Sequence, residues 1–381
     1  DTEILNLQSL RGTWLFAPRI WRTFNMATFT AVDDSQANFQ IKLFSGNATD
    51  DTAITFDGET DMQPDFMWLK NRDASGDHSM VDVVRGVTKY FTASGNDEEQ
   101  TYTNSVKSFN SDGFTLGTRA IVNGSGNGIV AWSWKAGGSA SAQTDGTIDT
   151  SRSVNTTAGF SIATYSGNST NGATRGHGLG VVPQWIMVKQ RTDAQKWYVY
   201  HHKNTAAPET DYLELNTTAA TVDQAGWNDT APSSTLVTTS DGSEVNASSK
   251  DYVMYSWAGV QGFSHFSSYV GNGLTGNSGN HINTGFRPAW VMIKKTSAVG
   301  SWLIYDSKRA STGNVPEGTT GVNSYLEHTT GTEQGDNPII FFSNGFQVRD
   351  SLNQADGATY IYMAFAEQPM VNSSGVPNNA R

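Results

Sequence analysis

Chemistry in this 381-residue chain could come from seven histidines, from strands rich in tryptophan and tyrosine, and from acidic loops. The histidines are His78, His177, His201, His202, His265, His281 and His328. Only His201 and His202 adjoin. Neighbours in a strand point to opposite faces, so this pair does not converge on one metal. No HExxH, EF-hand loop or histidine cluster occurs, and no GxSxG elbow or P-loop. The HGLG run at His177–Gly180 looks like an oxyanion loop. The corresponding stretches elsewhere in the chain lack it, and a glycine turn leading into a strand explains it better. GSGNG at Gly124–Gly128 has no following helix to offer a phosphate its N-terminus, and it reads as a hairpin loop. Paired carboxylates of the glycosidase kind stay open from sequence. The acidic run Asp97-Glu98-Glu99 reads as a solvated surface. Oxygens in Asn47–Asp51 could hold calcium, although turns use the same residues.

Sugar binding is the sharper reading. Aromatic rings stack on apolar sugar faces while amides and carboxylates bond the hydroxyls. The candidates are Trp197, Tyr200, His201 and Trp227 in one stretch, and Trp302, Tyr305 and Asp306 in another. Strand alternation sets Trp197 with Val199, and Tyr198 with Tyr200, on opposite faces. Only half can then face outward, and the competing reading is that they are core.

These residues recur within a repeated pattern. Phe39 opens FQIKLFSGN, Phe160 opens FSIATYSGN and Phe263 opens FSHFSSYVGN, each a strand that stops at Gly-Asn. Pro64 opens PDFMWLKNR, Pro183 opens PQWIMVKQR and Pro288 opens PAWVMIKKT. Their continuous apolar runs predict strands buried on both faces, with Lys70, Lys189 and Lys294 reaching solvent at the end. A third strand is WYVYHH from Trp197 and WLIYDS from Trp302, with HSMVDVV from His78 in the same place. SDGFTLG and SNGFQVR carry tight-turn signals, blurred at Ser240-Asp241-Gly242. IVAWSW, YVMYSWA and YIYMAFAE close the units. The spacing predicts an all-β protein of three tandem sandwich-like units at 39–137, 160–259 and 260–368.

The joints predict an asymmetry. Residues 138–159 have flexible-linker composition, whereas five residues join the second and third units into a rigid pair. Residues 1–38 form an arm with Trp14, Phe16, Arg19, Trp21 and Arg22, the composition of an attachment interface. The equal alternative is that the arm adds strands to the first unit. Residues 369–381 read as an extended tail.

Composition bounds the partners. There is no cysteine, so there is no disulfide and no thiol chemistry. A net charge of −11 disfavours nucleic acid and anionic membranes, and no apolar stretch is long enough to span a bilayer. Charged residues are only 16%, while glycine, serine, threonine and asparagine are plentiful, as in a turn-rich β protein.

GHGLGVVPQWIMVKQR, TGFRPAWVMIKK, SNGFQVR and ATYIYMAFAE together resemble a repeat domain of structural proteins from marine tailed bacteriophages, tail-fibre-like or lectin-like in type. FDGETDMQPDFMWLK with AWSWKAGG resembles the leading unit of that family, and the likeness covers about residues 39–367. It implies a virion protein on the particle exterior, homo-oligomeric and often trimeric, associated with other virion proteins. It carries no catalytic motif and no cofactor. The expected function is a tail fibre or spike that contacts host surface glycan. The alternatives are a capsid decoration or head-fibre protein with an architectural role, and a polysaccharide depolymerase.

Overall fold

The computed structural model describes residues 30–309, 320–322, 324–329, 331–335 and 339–369. Trp14, Phe16, Arg19, Trp21 and Arg22 of the expected attachment arm lie outside the described residues, as do residues 370–381 of the expected tail.

The fold is all-β, and among the described residues every strand pairing is antiparallel. Three large sheets share one strand order. In the first it runs Phe39–Ser45, Gly128–Trp134, Phe66–Asn71, Ser79–Asp82, Lys89–Thr92 and Gln100–Thr101. In the second it runs Phe160–Ser166, Asp251–Trp257, Trp185–Gln190, Tyr198–His201, Asp211–Glu214 and Val222–Asp223. In the third it runs Ser264–Val270, Thr359–Gln368, Arg287–Lys295, Trp302–Asp306 and Leu326–Glu327. The strand that closes each unit therefore lies between its opening strand and its Pro-led strand.

One face of each large sheet packs on a small sheet of its own lobe. In lobe 1 that core holds Met67, Leu69, Phe114 and Leu116, in lobe 2 Ile186, Val188 and Val237, and in lobe 3 Val291, Ile293 and Phe346. The small sheets use the predicted tight turns. Val106–Asn110 turns into Gly113–Leu116, and Ile339–Phe342 into Gly345–Val348. Glycine is needed there because a third strand presses in: a Cβ on Gly113 or Gly345 would lie 2.0 Å from the carbonyl oxygen of Ile54 or Ile282.

The other face of all three large sheets points into a single aromatic core. Along the Pro-led strand of lobe 2, Trp185 and Met187 join that common core while Ile186 and Val188 join the lobe's own. This explains why the run is apolar without alternation. Trp134 of lobe 1 lies 6.4 Å from Trp257 of lobe 2 and 5.6 Å from Trp290 of lobe 3, centroid to centroid. Burial of one such side chain contributes roughly 1.5–3 kcal/mol, so the lobes are bound by what is ordinarily the interior of a domain.

This arrangement corrects the expected joints. Residues 138–159 are not a tether. Ser141–Gln143 and Thr150–Asn155 add two strands to the large sheet of lobe 2. The segment is pinned at its start, where the Asp65 carboxylate accepts the N–H groups of Ala136 and Gly138 at 2.8 and 3.1 Å. It is pinned again where the Asn155 amide donates to Asn38 Oδ1 at 2.9 Å. Lobe 1 is as firmly joined as the other two. Residues 30–38 belong to the body too, with Val32 in the common core. The two ends of the described body meet at Gly262, where a Cβ would lie 3.2 Å from Thr30 Cβ and 3.7 Å from Pro369 Cβ.

Candidate functional site

Sheet register assigns equivalent positions across the lobes. Phe66, Trp185 and Trp290 on the Pro-led strands pair with Asp82, His201 and Asp306. Trp68, Met187 and Met292 pair with Trp132, Tyr255 and Met363 on the closing strands. These sets meet where two lobes abut, and the three seams run in a ring.

At the seam of lobes 1 and 2, the Tyr255 hydroxyl donates to Asp82 Oδ2 at 2.7 Å. Arg85 Nε donates to the same oxygen at 2.5 Å. Arg85 continues to Glu99 Oε2 at 3.2 Å, and Arg191 of lobe 2 grips Glu99 with two bonds of 2.9 and 3.0 Å. The seam of lobes 3 and 1 repeats this. Trp132 Nε1 donates to Asp306 Oδ2 at 2.9 Å, Arg309 Nε to the same oxygen at 2.6 Å, and Arg72 holds Glu333 at 2.6 and 2.9 Å. Burial disfavours the Arg85 charge, but Asp82, Tyr255 and Glu99 outweigh it and hold the guanidinium above its ordinary pKa. Burial likewise opposes the Glu333 charge, and bonding to Arg72 with the field of Arg309 prevails, leaving its pKa low.

The seam of lobes 2 and 3 has no such carboxylate. Met363 cannot donate, and His201 replaces the aspartate. His201 Nδ1 accepts the Lys203 N–H at 3.0 Å, so its Nε2–H faces the Tyr362 carbonyl at 3.4 Å. His202 Nε2 bonds the Phe266 carbonyl at 2.8 Å, and His265 Nδ1 meets the Tyr362 hydroxyl at 2.9 Å. Burial lowers the pKa of all three imidazoles, most strongly at His201.

Further bonds close the ring at all three seams. Trp197 Nε1 donates to the Thr92 carbonyl at 2.8 Å, Trp302 Nε1 to the Glu214 carbonyl at 2.9 Å, and His78 Nε2 to the Glu327 carbonyl at 2.7 Å. Trp68 Nε1 donates to His78 Nδ1 at 2.7 Å, which fixes the His78 tautomer.

The sugar-binding candidates are therefore misplaced. Trp197, Tyr200, His201, Trp227, Trp302, Tyr305 and Asp306 are all at most 4% exposed, out of reach of a stacked sugar ring. The alternation argument failed because both faces of these strands are covered. His201 and Trp302 do gather, both against Trp185, at 5.3 and 5.7 Å between ring centroids. Tyr200 and Trp227 pack together inside lobe 2 at 5.7 Å, and Tyr305 accepts the Asn353 amide at 2.8 Å inside lobe 3.

Two further expectations are corrected. Lys70, Lys189 and Lys294 do not reach solvent, being 0% exposed. Their ammonium groups bond carbonyls, across a seam for Lys189 (Asn96, 3.3 Å) and Lys294 (Thr218, 3.1 Å). Burial lowers the pKa of each to about 8. Glu99, read as part of a solvated run, is clamped at a seam. In Asn47–Asp51, the Lys107 ammonium bonds both Asp50 oxygens at 3.0 Å and Asp51 at 2.6 Å, a cation already in place. Among the described residues no three His, Asp or Glu side chains are grouped to hold a metal, and no helix is long and apolar enough to cross a membrane.

The sequence reading missed Arg85, Arg309 and Glu333, and for the two arginines a signal existed. It was there in VDVVR, YHHKN and YDSKR, where Asp-x-x-Arg occurs twice and His-x-x-Asn once at one place in the pattern.

An open groove of about 610 Å³ lies on the seam of lobes 2 and 3 between Asn204 and Thr221 on one side and Ser268 and Thr296 on the other. Compared with known proteins, residues 34–369 match the family described as Domain of unknown function (DUF7483). No curated protein and no solved structure matches the chain.

Proposed function

The chain belongs to the DUF7483 family, and we propose that it is a rigid display body on the exterior of a bacteriophage particle. In this reading it is a structural protein of tail-fibre or spike type that contacts host surface glycan and catalyses nothing. The observation that carries the proposal is the use of the buried polar groups. Asp82, Asp306, Glu99, Glu333 and His201 each bond across a seam or hold a residue that does. These are the groups a catalytic site would draw on, and here they hold lobes together. A body closed on one aromatic core suits a part that must keep its shape outside the cell. The phage assignment is supported by the wording of the landmark strands. Glycan contact is supported by a hydroxyl- and amide-rich surface with few charges.

Two experiments test the proposal. Antibody labelling of intact particles is expected to place the protein on the outer surface, at the tail; label on the capsid favours the decoration reading. Purified full-length protein is expected to bind host envelope fractions and to release no new reducing ends from host polysaccharide. Failure to bind any envelope fraction overturns the glycan-contact part, and released reducing ends overturn the non-catalytic part.

A further inference from the structure

The three seams share a backbone frame. The N–H groups of Glu99, Thr221 and Glu333 donate to the carbonyl oxygens of Arg191, Thr296 and Arg72, at 3.0, 2.9 and 2.8 Å. Over this bond, two seams carry an Arg–Glu pair backed by a second arginine. The third carries Thr221, Thr296 and Asn204 in the same three places. Much shorter side chains on an unchanged frame leave space, and that space is the groove of about 610 Å³. Small-ligand sites occupy ~300–1,000 Å³.

The walls state what would fit. Lobe 2 offers Asn204, Thr205 and Thr221, and lobe 3 offers Ser268, Thr296 and Ser297. The Thr205, Thr221 and Thr296 hydroxyls already donate to Asp211, Asn204 and Thr359 and so offer acceptor lone pairs, while the Asn204 amide and the Ser268 and Ser297 hydroxyls can donate, so such walls complement a ligand that is itself hydroxylated. Lys203 is the one charged residue of the lining, which contains neither carboxylate nor aromatic ring. A phosphate or nucleic acid ligand calls for clustered cations, and an apolar ligand for apolar walls.

We propose that this groove is a binding site for a neutral oligosaccharide, held by hydrogen bonds edge-on rather than by ring stacking. The proposal deepens, and rests on, the glycan-contact reading, and it moves that contact from the buried aromatic strands to the seam. The Thr221 hydroxyl already donates to Asn204 Oδ1 at 2.7 Å, which turns the Asn204 amide N–H groups toward further acceptors.

The test uses the full chain and a panel of neutral oligosaccharides (glucan, mannan and galactan fragments) beside acidic ones (alginate and hyaluronan fragments), read by calorimetry. Two variants close the groove. Thr221→Glu with Thr296→Arg rebuilds the ion pair of the other seams, and Ala206→Trp blocks the exposed rim without touching the packing. Binding to a neutral fragment, weakened at least ~10-fold in Ala206→Trp with an unchanged melting temperature, supports the site. Undiminished binding in both folded variants overturns it, as does a preference for acidic fragments or no saccharide binding at all. Envelope binding that survives in the variants sinks the groove alone and leaves the display reading intact. Loss of envelope binding in the wild type sinks the display reading itself.

Discussion

The seams of lobes 1–2 and 3–1 are built on buried charge, and the seam of lobes 2–3 on neutral groups at the same positions. Asp82 and Asp306 each take an arginine from their own lobe and a donor, Tyr255 or Trp132, from the next. Where the donor becomes Met363, the carboxylate becomes His201 and the arginine becomes Asn204. The substitutions go together for a physical reason. A buried carboxylate that lost its cross-seam donor would be under-bonded, and an arginine that lost its carboxylate would be a bare buried charge. The comparison teaches that the aromatic core makes the lobes adhere and that the polar set at each seam decides what conditions it tolerates.

The largest test of that contrast is truncation. Asp306→Ala or Asp82→Ala leaves a buried arginine only its longer carboxylate bond, to Glu333 or Glu99 at 3.3 and 3.2 Å, and is expected to cost about 3–5 kcal/mol in urea unfolding. His201→Ala removes a neutral group and is expected to cost about 1–3 kcal/mol. Equal losses would mean that the seams do not differ in kind.

Acid comes next. The unfolded-state histidine pKa is about 6.5, and burial holds His201, His202 and His265 below it in the fold. As pH falls below about 6.5 the unfolded chain gains protons that the fold refuses, so stability drops by up to about 1.4 kcal/mol per pH unit for each histidine. The charges acting on these rings are Lys203 and one another, and no carboxylate opposes them. His78 is likewise depressed at the seam of lobes 3–1. Hydrogen exchange at pH 5.5 should therefore open the 2–3 seam first, the 3–1 seam next and the 1–2 seam last; simultaneous opening would break the ranking.

Alkali should not discriminate. Lys70, Lys189 and Lys294 occupy one equivalent position, each with its pKa lowered by burial to about 8. Between pH 8 and 9 the fold gives up protons that the unfolded chain keeps, so stability rises, by about 1 kcal/mol per lysine. A flat profile in thermal melts would show that the ammonium–carbonyl bonds offset the burial. The smallest contrast is Thr221→Ala, expected within about 0.5 kcal/mol, against about 1–3 kcal/mol for Glu99→Ala, which leaves Arg191 unmatched.

Much of the fold was legible because strand chemistry is local. The Pro-led strands, the closing strands and the Gly-terminated turns fall where residue spacing puts them, and the doubly buried runs are doubly buried. The second covering layer was not legible. Alternation around Trp197 says that two faces differ but not that another lobe covers one of them, so seven core residues stood as candidates for a sugar-binding surface. Composition misled over residues 138–159, where Gly146 serves close approach to the Thr174 carbonyl within lobe 2 and Ser153, in strand Thr150–Asn155, accepts the Gly137 N–H. The groove could not be read at all, because it exists only where two distant segments fail to fill the space between them.

The meeting of Thr30 and Pro369 at Gly262 has a topological consequence. The described stretch 30–369 begins and ends at one point, so it has the geometry of a closed cassette. Spliced into a surface loop of another protein, it would spread the two ends of that loop no further than a hairpin does. Tension applied through both ends would act locally at that mouth, between lobes 1 and 3, while the rest of the body stayed unloaded.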